Sequence, residues 1–465
     1  MTLQTEPVGV TAVPTFTGSI RIRLRTHSRF RTMELGLLAI ACGLNAVTIL
    51  LVQLGVNGAP DWSLGFLGLG LSVLVFGMHI VLRVVAPNAD PFLLPIATLL
   101  NGLGIAMIYR LDLAKGYTGW DMAGIRQIVW SAMAIIFAIL VVVLLRNHRI
   151  LQRFRFTFMI AGAFLLLLPM LPIFSPVNGA QVWIQIGPFS FQPAEVGKIA
   201  LAIFFAGYLV TARDSLSLVG RKVLWMTFPR ARDLGPILVV FAAAMAVLVV
   251  QRDLGTSLLY FGLFLVMIYV ATGRASWIFI GLGLFLGGAL VAAQTLGYVG
   301  NRFDAWLDAF SDDNYARSGG SYQLVQGLFG LANGGLIGTG LGQGRPNIVP
   351  LAESDYIIAS LGEELGLIGI FAILALYLLL VSRGLRIGFA GSDDFGRLLA
   401  VGLAFLIGLQ VFIVIGGVTR VIPLTGLTTP FLAAGGSSLV ANWMIVAILL
   451  RLSDTVRSET RAVIE

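Results

Sequence analysis

Residues 350–381 read PLAESDYIIASLGEELGLIGIFAILALYLLLV. The stretch starts as a polar loop and turns, at Tyr356, into an apolar run that holds to Val381. At about 1.5 Å per residue, a helix of that length crosses the roughly 30 Å of bilayer hydrocarbon. Four acids, Glu353, Asp355, Glu363 and Glu364, mark the junction. Carboxylates at a bilayer boundary are costly to desolvate, so their presence points to a role.

Eleven further apolar runs bring the total to twelve: 34–54, 63–86, 91–110, 123–145, 156–174, 194–211, 235–250, 254–271, 275–295, 356–381, 397–417 and 429–451. The chain is 57% hydrophobic and 12% charged, with a mean hydropathy of +0.91. A soluble domain carries about 25% charged residues. The predicted fold class is therefore all-α, a polytopic membrane helix bundle. An even number of spans puts both termini on one side. With that side cytoplasmic, inner segments hold 22 of the 31 Lys and Arg, including Arg21, Arg23, Arg25, Arg29 and Arg31 of a basic N-tail (1–33). This is the positive-inside bias, and it accounts for much of the +8 formal charge without a nucleic-acid partner. The single cysteine, Cys42, excludes an intrachain disulfide, and His27, His79 and His148 are too dispersed for a histidine metal cluster.

Most connections are short, but two outer loops are long: 175–193 and 296–355. The second has aromatic residues at Phe303, Trp306, Phe310, Tyr315, Tyr322 and Phe329, which fits short amphipathic helices on the outer leaflet. Function is expected on that external face.

Four segments carry chemistry. Asp355 stands at the entrance of the tenth span. It reads either as a carboxylate favoured by the helix dipole, or as a general base with a raised pKa beside an outer cavity. Glu363 and Glu364 lie about two turns deeper in the same helix, as a buried structural pair or lining a water cavity. Gln251-Arg252-Asp253 joins the seventh and eighth spans, either as a local Arg–Asp pair or as an anion contact by Arg252 oriented by Asp253. In the first outer loop, Trp183 suits an interfacial anchor. Beyond Gln192 and Glu195, Lys198 either snorkels to headgroups or contacts phosphate. Pro423, Thr425, Gly426, Pro430 and Gly435-Gly436-Ser437-Ser438 interrupt the entry to the last span, as tight helix packing or as backbone lining a cavity.

Together these segments resemble the SEDS family (shape, elongation, division and sporulation proteins). The matching residues are Trp183 with Gln192-Pro193 and Glu195/Lys198; Asp253-Leu-Gly-Thr; Gly334-Gly335 with Gly338, Gly340, Gly342 and Gly344; Ser354-Asp355 with Glu363-Glu364; and Pro423, Thr425-Gly426, Pro430-Phe431 and Gly435-Gly436. They fall in the family's order across residues 179–438. Departures are Arg252 where proline is common, Gln181-Val182 where a basic pair is common, Asn347 eight positions before Asp355 where an acid is common, and Glu353-Ser354 where His-Thr is common.

The resemblance implies a peptidoglycan glycosyltransferase of the cytoplasmic membrane with an extracytoplasmic active site. Such an enzyme transfers the growing glycan from its undecaprenyl-pyrophosphate carrier to lipid II, beside a class B penicillin-binding protein. It places the essential loop carboxylate at Asp355. Lys198, Arg252, Arg345 and Arg420, with Trp183, are candidates for substrate and pyrophosphate contact, with a divalent cation as a further possibility. The competing reading is a lipid II flippase; a twelve-span solute transporter would show two repeats, and none is present. Members commonly have ten spans, so the core corresponds to 91–452, with two extra N-terminal spans within 34–90 and a C-tail at 453–465. The QRDLGTSLL junction and short tail resemble the elongation branch, and the twelve-span layout resembles actinobacterial members.

Overall fold

Each of the twelve runs predicted to cross the bilayer contains a helix in the computed structural model, which describes residues 26–171, 174, 182–186, 189–216, 222–223, 226–227 and 235–464. The first twenty-five residues of the basic tail, with Arg21, Arg23 and Arg25, lie outside the described residues, as do 175–181 of the first outer loop. Among the described residues the helices are α1 (Thr26–Asn57), α2 (Trp62–Val85), α3 (Leu93–Lys115), α4 (Ala123–Leu144), α5 (Arg149–Arg153), α6 (Arg155–Leu167), α7 (Pro193–Leu216) and α8 (Gly235–Gln251). They continue with α9 (Leu254–Thr272), α10 (Ser276–Thr295), α11 (Gly297–Leu307), α12 (Asp312–Ala316), α13 (Tyr322–Gly334), α14 (Ile357–Ala390), α15 (Asp394–Val418) and α16 (Gly436–Ile464). Ten are long and apolar enough to span a membrane. The shorter apolar helices Arg155–Met170 and Leu238–Gln251 match the fifth and seventh predicted spans. The chain is a multi-pass membrane protein. Two short antiparallel hairpins are also present; β1 (Ile184–Ile186) pairs with β2 (Phe189–Phe191), with Ile184 opposite Phe191.

The long outer segment carries α11, α12 and α13, so the expected amphipathic helices form there. Packing of α13 on α14 holds this layer against the bundle. The core proper is built by α3, α7, α9, α15 and α16, whose faces bury Leu100, Ile203, Phe264, Leu406 and Trp443.

Three boundaries differ from expectation. First, α14 is not one uninterrupted helix: Gly366 adopts φ 69, ψ −175 and breaks it one residue past Leu365. Any side chain there would strike the backbone of 336–338. The break frees backbone groups that hydrocarbon cannot satisfy, and the glycine-rich segment supplies partners. Leu367 and Ile368 N–H groups donate to the Gly335 and Leu336 carbonyls, at 2.9 and 3.1 Å. The Glu363 and Glu364 carbonyls accept from Thr339 and Gly340 N–H groups, both at 3.0 Å. Glu363 and Glu364 thus end a half-helix, rather than lying within a continuous span. Second, the last helix begins at Gly436, not 429. Pro430 lacks a backbone donor and Phe431 has φ 66, so the chain cannot enter the helix earlier. The buried, irregular run before it is tied by Gln410 Nε2 to Thr428 O (2.8 Å), by Gln127 Nε2 to Ala433 O (3.1 Å) and by the Tyr377 hydroxyl to Pro430 O. Third, α16 does not stop at 452 but continues as helix, docking Arg457 on Asp90 at 2.5 Å and Asp454 on the Asn88 amide at 2.8 Å.

Behind the break, Arg110 of α3 donates to Glu364 Oε1 at 2.9 Å and to Gly344 O at 2.8 Å, with both charged side chains almost fully buried. Removing one member of a buried ion pair costs about 3–5 kcal/mol, because the other charge is stranded. Arg110→Met is therefore expected to destabilise the protein by about that amount in reversible unfolding from detergent micelles. Combining it with Glu364→Gln, which removes the stranded charge, is expected to recover part of the loss.

Candidate functional site

Asp355 closes the turn immediately before α14 and is half-buried. Ser354 Oγ donates to its Oδ1 at 2.7 Å. Burial pushes its carboxyl above the ordinary range; the Ser354 hydroxyl and the Arg302 guanidinium pull it back down, and Glu353 adds to the rise. The loop is held from both sides. Glu353 pairs with Lys115 of α3 at 2.8 Å, and its carbonyl accepts from the Ala434 N–H at 2.7 Å. Glu353 is thus a loop anchor as well as a surface acid. The neighbouring Tyr356 is buried.

Asp253 comes to the same neighbourhood from the α8–α9 junction. Arg252 has φ 57, which turns the chain so that Asp253 caps α9. Its carboxylate accepts from the Thr256 N–H (2.9 Å) and hydroxyl (2.6 Å). The local Arg252–Asp253 pair considered from sequence does not form. The Arg252 guanidinium is exposed and lies 6.0 Å from the Tyr298 ring centroid. Burial raises the Asp253 carboxyl, while Thr256 and then Arg302 lower it.

Arg302 lowers both acids electrostatically without forming an ion pair with either, and the sequence reading missed it. It projects from α11, half-buried, and donates through Nη1 to Leu424 O at 3.1 Å. Its Nη2 lies 3.7 Å from where a Cβ on Gly426 would stand. One cation thus biases Asp355 and Asp253 while contacting the irregular segment before α16. The available signal was its place on the first helix of the outer layer, between apolar residues Val299, Phe303 and Trp306.

Those three residues also line an apolar cavity of about 380 Å³ between α8, α9, α10, α11 and α15, together with Leu254, Phe412 and Thr425. Its lining alternates along the chain with the polar groups above: Leu254 follows Asp253, and Phe303 follows Arg302. An apolar recess therefore adjoins a charged rim. That arrangement suits a lipid whose polar head must react.

The remaining candidates divide by environment. Lys198 is 1% exposed, so neither the snorkelling reading nor an open phosphate contact fits. Its Nζ donates to Glu195 Oε2 (2.6 Å), Gln410 Oε1 (2.9 Å) and Asn442 Oδ1 (3.4 Å). Gln192 and Ser437 join α7 to α16, the Gln192 N–H donating to Ser437 Oγ at 3.0 Å. Arg420 is likewise committed. Its guanidinium donates to the Trp306 and Leu307 carbonyls, both at 2.7 Å, while Trp306 Nε1 donates back to Arg420 O at 3.1 Å. Arg345 is exposed, and its backbone N–H donates to Glu363 Oε1 at 2.9 Å. Glu363 and Glu364 therefore tie down the glycine-rich segment and Arg345. Trp183 is half-buried just before β1. Among the described residues no three His, Cys, Asp or Glu side chains converge as metal ligands.

This geometry has relatives. The peptidoglycan glycosyltransferase RodA of Mycobacterium tuberculosis is 46% identical over 435 residues, covering 93% of this chain and 92% of its own. The same-named protein of Mycobacterium leprae is 43% identical over 467 residues, covering 99% and 96%. Stage V sporulation protein E of Bacillus subtilis is 33% identical over 376 residues, covering 79% of this chain and 97% of its own. A chain in a solved peptidoglycan synthase complex is 24% identical, with a TM-score of 0.53 over 86% of this chain and 98% of that one, which shows a shared fold. The profile of the FtsW, RodA and SpoVE cell cycle proteins matches residues 91–458, from α3 into the last turns of α16 and across every site residue described above. The chain belongs to that family, the SEDS proteins.

Proposed function

We propose that this protein is a peptidoglycan glycosyltransferase that extends glycan strands from lipid II at the outer face of the cytoplasmic membrane, serving cell-wall elongation and rod shape. The observation that carries the reading is Asp355: a half-buried carboxylate in the turn before α14, raised by burial and lowered by Arg302, whose neighbour Phe303 lines the apolar cavity. The names and identities of the mycobacterial relatives support the activity. The inward bias of Lys and Arg supports cytoplasmic termini and an external site.

In this mechanism Asp355 accepts the proton of the lipid II sugar hydroxyl as that oxygen attacks the anomeric carbon of the growing strand. The bond between that carbon and the carrier pyrophosphate breaks, and the pyrophosphate leaves with the electron pair. Negative charge develops on the leaving oxygens, where a fixed cation stabilises it. Arg302 is the cation that acts electrostatically on both acids, and the exposed Arg252 and Arg345 are the further candidates. Lys198 and Arg420 shape the site through the neighbours they hold. A divalent cation beside the pyrophosphate would supply further charge neutralisation. The polyprenyl tail fits the apolar recess lined by Phe303 and Leu254. A class B penicillin-binding protein is the proposed partner that crosslinks the product.

Asp355→Asn is expected to slow polymerisation of lipid II by about 10²–10⁴-fold, the usual worth of a positioned base, without loss of folding. Lipid transport across vesicles with no polymer made by the parent protein would refute the enzyme reading in favour of a flippase. A second test uses pH. The base works ionised, so the rate should rise with pH through the Asp355 pKa, at a midpoint above the ordinary carboxylate value of about 3.9. Arg302 favours the ionised form. Arg302→Gln should therefore move that ascending limb to higher pH, and also lower kcat by about 10²–10³-fold through lost charge stabilisation. An unmoved limb would exclude coupling between the two groups.

A further inference from the structure

The helix pair α1–α2 lies outside the family match, which begins at residue 91. It is nevertheless bolted to the core at both ends. At the inner end the Arg457 guanidinium of α16 lies 5.7 Å from the Phe30 ring centroid. Beside it Arg31 pairs with Glu34 at 2.7 Å, Glu34 with His79 of α2 at 2.7 Å, and Arg31 donates to the Ala89 carbonyl, with Arg31, Glu34 and His79 all buried.

At the outer end the last turn of α1 meets the glycine-rich segment backbone to backbone. A Cβ on Gly55 would stand 2.5 Å from Leu341 O and 3.1 Å from Gly342 Cα. A Cβ on Gly342 would stand 3.0 Å from Gly55 Cα. Gln343 Nε2 donates to Gly55 O at 3.2 Å, and Val52 packs against Leu341. The touched residues also receive the internal bonds of the loop. The Gly342 N–H donates to Glu364 Oε2 at 2.8 Å, and Glu364 holds Arg110, which donates to Gly344 O. From Gly344 the chain runs directly through Arg345 to Asp355.

We infer that α1 is a positioning element for the catalytic loop: the close contact of Gly55 with Gly342 sets where the glycine-rich segment sits, and through it where Asp355 points. This rests on the reading of Asp355 as the base. The contact needs glycine on both sides, and a larger residue at 55 must push a backbone whose other face is fixed by Glu363 and Glu364.

The test uses the full chain in lipid nanodiscs with lipid II and, where the parent requires it, its transpeptidase partner. Gly55→Leu is expected to lower kcat for polymerisation about tenfold or more, a barrier change of about one decade. KM should stay within about twofold, because the lipid recess between α8 and α15 is untouched. Amide hydrogen exchange over residues 338–344 should quicken. Gly43→Leu, on the same helix with open space around it, should match the parent in both readouts. If Gly55→Leu does not fold, Gly55→Ala is read instead, with a smaller fall in kcat and the same local quickening. Wild-type kcat, a loss confined to KM, or a loss without faster exchange at 338–344 each overturns the inference. Asp355→Asn runs in parallel: an active Asp355→Asn means the base assignment fails, whereas an inactive one beside a fully active Gly55→Leu means only the brace fails.

Discussion

Backbone polar groups inside hydrocarbon must find partners within the protein. That constraint organises the outer half of this molecule. Gly366 breaks α14, and the break is tolerable only because residues 335–340 come alongside and exchange hydrogen bonds with it. Glu363 and Glu364 fix the same segment through their side chains, accepting from the Arg345 and Gly342 amides. Arg110 then neutralises Glu364 from α3. The result is a rigid frame under a loop that would otherwise be too long to place a side chain accurately. Asp355 inherits its position from that frame.

The site itself is economical in charge. Two acids, Asp355 and Asp253, arrive from helix N-termini far apart in sequence, and Arg302 biases both. Burial raises each carboxyl, while the guanidinium limits the rise. The opposing effects leave each carboxyl above its ordinary range, with the guanidinium favouring the ionised form. The same cation precedes Phe303 in the chain, and Phe303 lines the apolar recess, so charge and apolar surface come from adjacent residues of α11.

The spans were legible because apolar length is a strong signal in a chain with few charges. The placement of Asp355 at a helix entrance was legible because an acid at the start of an apolar run stands out. The break at Gly366 was not, since a glycine within an apolar run usually leaves a helix intact and only the approach of 336–338 makes it obligatory. Arg302 was obscured by its place on an amphipathic helix rich in aromatics, where a cation ordinarily faces headgroups. Lys198 was read as outward-facing because its partners, Gln410 and Asn442, are single amides in the eleventh and twelfth spans, and nothing in the linear order pairs them with it. Arg420 fits that pattern too: its partners are backbone carbonyls, which composition cannot reveal.

The buried lysine carries one more implication. Near the start of α7 its ammonium donates to Glu195, to Gln410 of α15 and to Asn442 of α16, and Gln410 donates on to the Thr428 carbonyl. Those three acceptors match the three N–H donors of the ammonium. A single side chain thereby rivets three helices to one another and to the irregular stretch ahead of α16, so the chain's distant halves share one fastening.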